Sequence, residues 1–122
     1  MSWTALETNR HQDHVIAHVI GATPVSHFVH DETAYVVLDI GFIWNIYLDM
    51  EMGLVPERVA MSELGVDAES LQKTDVECGP IESVDLFEDG QERRLVLHCE
   101  QGALTIETSL SHRWIRVHLW PN

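Results

Sequence analysis

Apolar positions along this chain recur first with the period of a helix and then with the period of strands. Val15, Ile16, Val19 and Ile20 share one side of a helix that Thr4 or Thr8 would cap and that Gly21 and Thr23-Pro24 would stop. Residues 25–30 read as a strand, with Asp31-Glu32-Thr33 as its turn. Residues 34–40 and 42–48, on either side of Gly41, are rich in β-branched and aromatic side chains and read as two more. Val36, Leu38, Ile40, Trp44 and Ile46 lie on one face of this pair, and Tyr35, Val37, Ile43 and Tyr47 on the other. Strands apolar on both faces belong in the middle of a sheet, with a helix over one side. Pro56 opens a short helix over 57–63 that Gly65 ends, and Asp67 caps a second over 68–73. The pattern lapses between Lys73 and Pro80, which reads as a loop. Strands follow at 81–88, 93–100 and 103–109, joined by Asp89-Gly90 and Gln101-Gly102. A last strand at 113–119 sets Ile115, Val117 and Leu119 against Trp114, Arg116, His118 and Trp120.

The same order of strand, acidic turn, strand, glycine and strand occurs twice, over residues 24–49 and 80–109. Phe28-Val29-His30-Asp31-Glu32 sits over Leu86-Phe87-Glu88-Asp89-Gly90 at a spacing of 58. Residues 34–41 then match 95–102 at a spacing of 61, with Asp39 over Glu100 and Gly41 over Gly102. One three-strand meander exposes an apolar face and needs a second layer to cover it. The expected fold is therefore α+β. Two repeated antiparallel meanders and a final strand join an N-terminal helix and two short helices between the repeats, all in one domain of 122 residues.

Charge adds a direction. The net charge is −13, and residues 49–92 hold 13 acids against Arg58 and Lys73. Such a balance argues against nucleic acid, whose phosphates need a basic surface. A concentrated acidic face either serves solubility alone or steers a basic protein partner, for which Asp49, Glu51, Glu57, Glu63, Asp85, Glu88 and Asp89 are the candidate contacts. No apolar run reaches the roughly 20 residues of a membrane span. Residues 1–5 lack the basic and apolar segments of a signal peptide, and Cys78 and Cys99 are too few for a disulfide framework. A reduced, cytoplasmic protein away from membranes is the expectation.

Candidate chemistry is sparse. Glu7, His11, His14 and His18 form one helical stripe, and His14/His18 have the i, i+4 spacing of helical zinc sites. No second element offers complementary ligands, so the stripe reads as a solvent face and neither metal nor other cofactor is expected. His98 and Glu100, with Asp39 at the position matching Glu100, could do acid–base work if a cleft buried them. Cys99 shares a face with Leu95 and Leu97 and reads as a small buried hydrophobe. No G-x-S-x-G, Walker loop, G-x-G-x-x-G or C-x-x-C occurs. Trp114 and Trp120 are either covered by the first helix or form a contact surface, a homodimer interface among the options.

The segment Val84-Asp85-Leu86-Phe87-Glu88-Asp89-Gly90, followed by Leu97-His98-Cys99-Glu100-Gln101-Gly102-Ala103-Leu104-Thr105-Ile106 and Arg113-Trp114, resembles small bacterial β-meander proteins. Some of those are suspected partners or immunity proteins of toxins. The resemblance spans the second half of the chain, implies a binding role and carries no catalytic residues. The expected function is a non-enzymatic protein-binding or immunity-type module acting through its acidic surface. The alternative is an enzyme or ligand-binding domain with a pocket between the meanders.

Overall fold

The computed structural model describes residues 2–65 and 70–121. In chain order the elements are β1 (Thr4–Ala5), α1 (Arg10–Val19), β2 (Pro24–His30), β3 (Thr33–Leu38), β4 (Phe42–Tyr47), β5 (Met52–Pro56), α2 (Glu57–Leu64), β6 (Thr74–Asp75), β7 (Ile81–Asp89), β8 (Glu92–Cys99), β9 (Gly102–Ser109) and β10 (Trp114–Pro121). They build two five-stranded antiparallel sheets, ordered β5-β4-β3-β2-β6 and β1-β7-β8-β9-β10. The α+β class and the doubled meander are as the sequence predicts. Each meander, however, has four strands. Met50 and Met52 are 0% and 3% exposed, and burying them turns residues that look like loop back along β4 as β5. The final strand β10 is its counterpart in the second sheet. Each sheet also gains a two-residue edge strand from the segment preceding the other meander: β1 pairs with β7, and β6 with β2.

The inner faces of the sheets meet in one core. Val36, Leu38, Trp44 and Ile46 face Leu95, Leu97, Leu104 and Ile106, and Val15 and Val19 of α1 close the side. The other face of β3 and β4 carries Val37 and Ile43, which pack with Phe28 beneath Ala60 of α2. The helix over the doubly apolar strands is therefore α2. Ile40, assigned by periodicity to the inner face, lies in the β3–β4 turn and is 46% exposed.

Register corrects the repeat by one residue in two places. Val36 lies opposite Trp44 as Leu97 lies opposite Leu104, so β3 and β8 differ by 61. The first strands carry matching irregularities at Pro24/Ser26 and Ile81/Ser83, a spacing of 57 rather than 58. Val29 opposite Ala34, not Phe28, is the counterpart of Leu86 opposite Leu95. A one-residue slip exchanges the faces of a strand, and Phe28 accordingly packs under α2 while Leu86 enters the inner core. Asp39-Ile40-Gly41 is likewise one residue longer than Glu100-Gln101, which removes Gly41 from register with Gly102. The match of Asp39 with Glu100 stands. Their backbone N–H groups donate to Thr23 and Pro80 at 3.0 Å in both halves.

The first helix begins later than expected because Thr4 and Ala5 are held in β1. Asn9 is its cap: its side chain accepts from the Gln12 N–H at 2.8 Å, and the Gln12 side chain accepts from the Asn9 N–H at 2.9 Å. Pro56 and Gly65 bound α2 as predicted. The expected helix over 68–73 falls partly on residues 66–69, outside the described residues. Beyond it, Thr74 and Asp75 form β6 within the expected loop.

Candidate functional site

Four hairpin turns gather at one end of the sandwich. The Arg113 guanidinium in the β9–β10 turn makes a two-pronged contact with the Glu32 carboxylate in the β2–β3 turn, its Nε at 3.0 Å from Oε1. Leu110 N–H donates to Gln91 O in the β7–β8 turn at 2.9 Å. The buried Thr108 hydroxyl donates to Leu48 O at 2.7 Å, tying the β4–β5 turn to the second sheet. Between them lies an open cleft of about 370 Å³ lined by Asp31, Glu32, Tyr47, Asp49, Leu110 and Arg113.

Tertiary structure brings Asp31, Glu32, Asp49, Glu51, Glu88, Asp89 and Glu92 to these turns and the strand ends beside them. Arg93, 3.7 Å from Glu88, and Arg113 offset part of that charge. Asn9 Nδ2 holds Glu51 at 3.0 Å, and Asp89 keeps one shielded oxygen unpartnered among the described residues. Of the seven acids singled out by sequence, Asp49, Glu51, Glu88 and Asp89 belong here. Glu57 and Glu63 ride on α2, and Asp85 sits on the outer face of the second sheet. Asp31 and Glu32 join from outside the acidic segment, a proximity created by hairpin length and sheet stacking.

The backbone marks the same end. Asp31 (φ 46°), Glu32 (φ 60°), Met50 (φ 68°) and Arg113 (φ 54°) are the described non-glycine residues with positive φ, and all four lie in these turns. Gly90 (φ 61°) holds the same conformation in the β7–β8 turn, and at the opposite end Gly21, Gly41, Gly79 and Gly102 hold the positive-φ positions. Side chains in this region are strained where glycine is not.

The outer face of the second sheet carries aromatic side chains and two arginines held by an acid between them. Glu107 on β9 accepts from Arg94 of β8 (2.6 and 2.9 Å) and from Arg116 of β10 (3.1 Å). Trp3 stacks 4.2 Å from the Arg94 guanidinium, and Trp114 stacks 4.7 Å from that of Arg116. Burial alone raises the Glu107 pKa, but hydrogen bonds and charge from the two arginines outweigh it and leave the group below its ordinary value. Trp120 donates to Thr105 Oγ1 at 3.1 Å and remains 56% exposed. The first helix does not cover these indoles, because it packs beside β5 on the other sheet.

His98 and Asp85 form a 2.8 Å pair on this open face. Asp39 accepts the Thr23 N–H at 2.9 Å, and Glu100 occupies the β8–β9 turn, so the three acid–base candidates do not line a common cleft. On α1, His11 Nε2 lies 2.9 Å from Met52 O, and His14 and His18 pack edge-on at 4.7 Å. With Ile40, Phe42 and Leu54 these histidines line a shallow groove of about 350 Å³. Glu7 precedes the helix. Among the described residues no group of three or more His, Cys, Asp or Glu is arranged to hold a metal ion. Cys78 and Cys99 are buried with their sulfurs 2.8 Å apart, and burial and the neighbouring thiol push the Cys99 pKa up to about 12.

Fold and surface define a two-sheet antiparallel α+β sandwich with an acidic turn end. Among the described residues no helix is long and apolar enough to cross a membrane. In comparisons with known proteins, no family model, no curated protein and no solved structure matches the chain.

Proposed function

We propose that the chain is a non-enzymatic protein-binding module of the immunity or inhibitor type, which captures a basic partner through its acidic turn end. One observation carries this reading: strained, non-glycine residues from three turns and carboxylates from three turns coincide at one end of the sandwich. Strain kept at a surface where glycine would relieve it points to a role for the side chains. Carboxylates gathered on a low-dielectric body raise the local field and speed encounter with a cationic surface. The filled interior supports binding over catalysis. Trp44, Leu97 and Leu104 are fully buried where a pocket between the meanders would lie.

The test pairs two variants. Asp49→Asn/Glu51→Gln/Asp89→Asn/Glu92→Gln removes charge at the turn end, and Glu57→Gln/Glu63→Gln removes charge on α2. The purified product of the gene encoded next to this one is the first partner to assay. Binding should weaken as salt rises, because the Debye length is about 8 Å at physiological ionic strength. It should be lost in the turn-end variant and kept in the α2 variant. Equal loss in both, or binding indifferent to salt, would assign the acids to general surface charge.

A further inference from the structure

The two sheets have four lateral edges, and three are blunted. β1 and β6 are two residues long, and β5 contains Gly53 and has α1 packed along it. The fourth edge, β10, is eight residues long and in unbroken register with β9 from Trp114 to Pro121. Among the described residues no strand pairs with its other side. A long, regular edge strand whose one charged side chain is Arg116 is still a template for another strand, and natural sheets ordinarily disguise such edges more fully.

Geometry shows which groups that template offers. The Thr105 hydroxyl reaches His118 O at 3.2 Å, and Trp120 O lies against Gly102, so the even-numbered residues of β10 turn their backbone groups toward β9. Ile115, Val117 and Leu119 then direct both N–H and C=O to the open side. The sequence of the strand is near-palindromic about the middle one: Trp114-Ile115-Arg116-Val117-His118-Leu119-Trp120.

We infer that β10 pairs antiparallel with β10 of a second copy, on a two-fold axis at Val117, joining two five-stranded sheets into one. A two-fold interface must be self-complementary, and this strand is. Val117 lies opposite its own mate and Ile115 opposite Leu119, and these are the residues whose backbone groups are open. Trp114 falls opposite Trp120, and Arg116 opposite His118, in the positions where cross-strand side chains approach most closely. The axis avoids like charges in direct opposition, since Arg116 meets an imidazole and already carries Glu107 as its counter-ion. β10 itself bears no acid, so the rest of each copy's charge of −13 supplies the repulsion. That repulsion is screened by salt, and the dimer strengthens as salt rises, opposite in sign to capture of a basic partner at the turn end.

Sedimentation equilibrium of the full chain at rising protein and salt concentrations tests the inference. The expected result is a monomer–dimer equilibrium that shifts toward dimer with salt. Two substitutions read the register at an exposed position. His118→Lys places a cation opposite Arg116 of the partner twice per dimer and should raise the dissociation constant about fivefold, and His118→Glu should lower it by a similar factor. Val117→Pro removes a donor used only across the axis and should leave a folded monomer, as judged by its circular dichroism. A chain that stays monomeric at millimolar concentration overturns the inference. So does a dimer to which both His118 variants are indifferent.

Discussion

Asp31 shows how much a single turn residue can say. It sits in the left-handed region with its side chain 91% exposed, 3.3 Å from the His30 ring, in a position glycine would occupy without strain. Asp31→Gly should therefore raise stability by about 0.5–1 kcal/mol in urea unfolding, while weakening capture of a basic partner. Glu107 is the converse, a buried carboxylate satisfied by two guanidinium groups. Its pKa is lowered on folding, so its contribution is complete above the ordinary carboxylate range and lost as pH falls through the lowered value. Glu107→Gln should cost about 1–2 kcal/mol at neutral pH, the arginines being partly exposed. The difference from the parent should shrink below about pH 4 in denaturant titrations across pH.

Among the elements, α1 depends most on a local device. Its capping box at Asn9 and Gln12 is anchored to the β4–β5 turn, where Gln12 Nε2 donates to Met50 O at 2.8 Å. Asn9→Ala removes the cap and the contact to Glu51 and should cost about 1 kcal/mol in thermal unfolding. The Asn-x-x-Gln spacing was present in the sequence, but Thr4 and Thr8 also qualify as caps. The pairing of Thr4 and Ala5 with β7 removes the first, and the Thr8 hydroxyl turns to the Asp13 carboxylate, leaving Asn9 to accept the Gln12 N–H. The histidine face of the same helix is exposed. His14→Ala should change stability by less than about 0.5 kcal/mol, and a chelator should leave the melting temperature unaltered. A fall in melting temperature on chelation would reveal a bound ion.

For the whole molecule, Cys78 and Cys99 report on the seam where the chain crosses from one sheet to the other. Cys78 lies between β6 and β7, Cys99 ends β8, and neither thiol is open to solvent. Alkylation of both should be slow at neutral pH in the native protein and rapid in denaturant. Burial and the paired thiol hold Cys99 protonated, its pKa near 12. Fast modification of either thiol without denaturant, followed by mass spectrometry, would mean that the seam opens locally.

Alternation along the strands, the Asp89-Gly90 hairpin and the Pro56–Gly65 helix were legible because each is decided within a few neighbouring residues. The doubled meander and the apolar character of both faces of β3 and β4 were legible for the same reason. Strand β5 was not, because its pairing rests on the burial of Met50 and Met52 in a core assembled from both halves. Nor was the repeat's true offset. A one-residue change leaves similar residue types aligned while exchanging the faces, and only hydrogen-bonded register separates Phe28 from Val29. The acidic end needed four turns brought together from residues 31 to 113, and the meaning of the palindrome in β10 needed the sheet order that leaves it at an edge. Periodicity belongs to the strand and can be read from one chain segment; register, edges and the company a charge keeps belong to pairs of segments, and only folding selects the pairs.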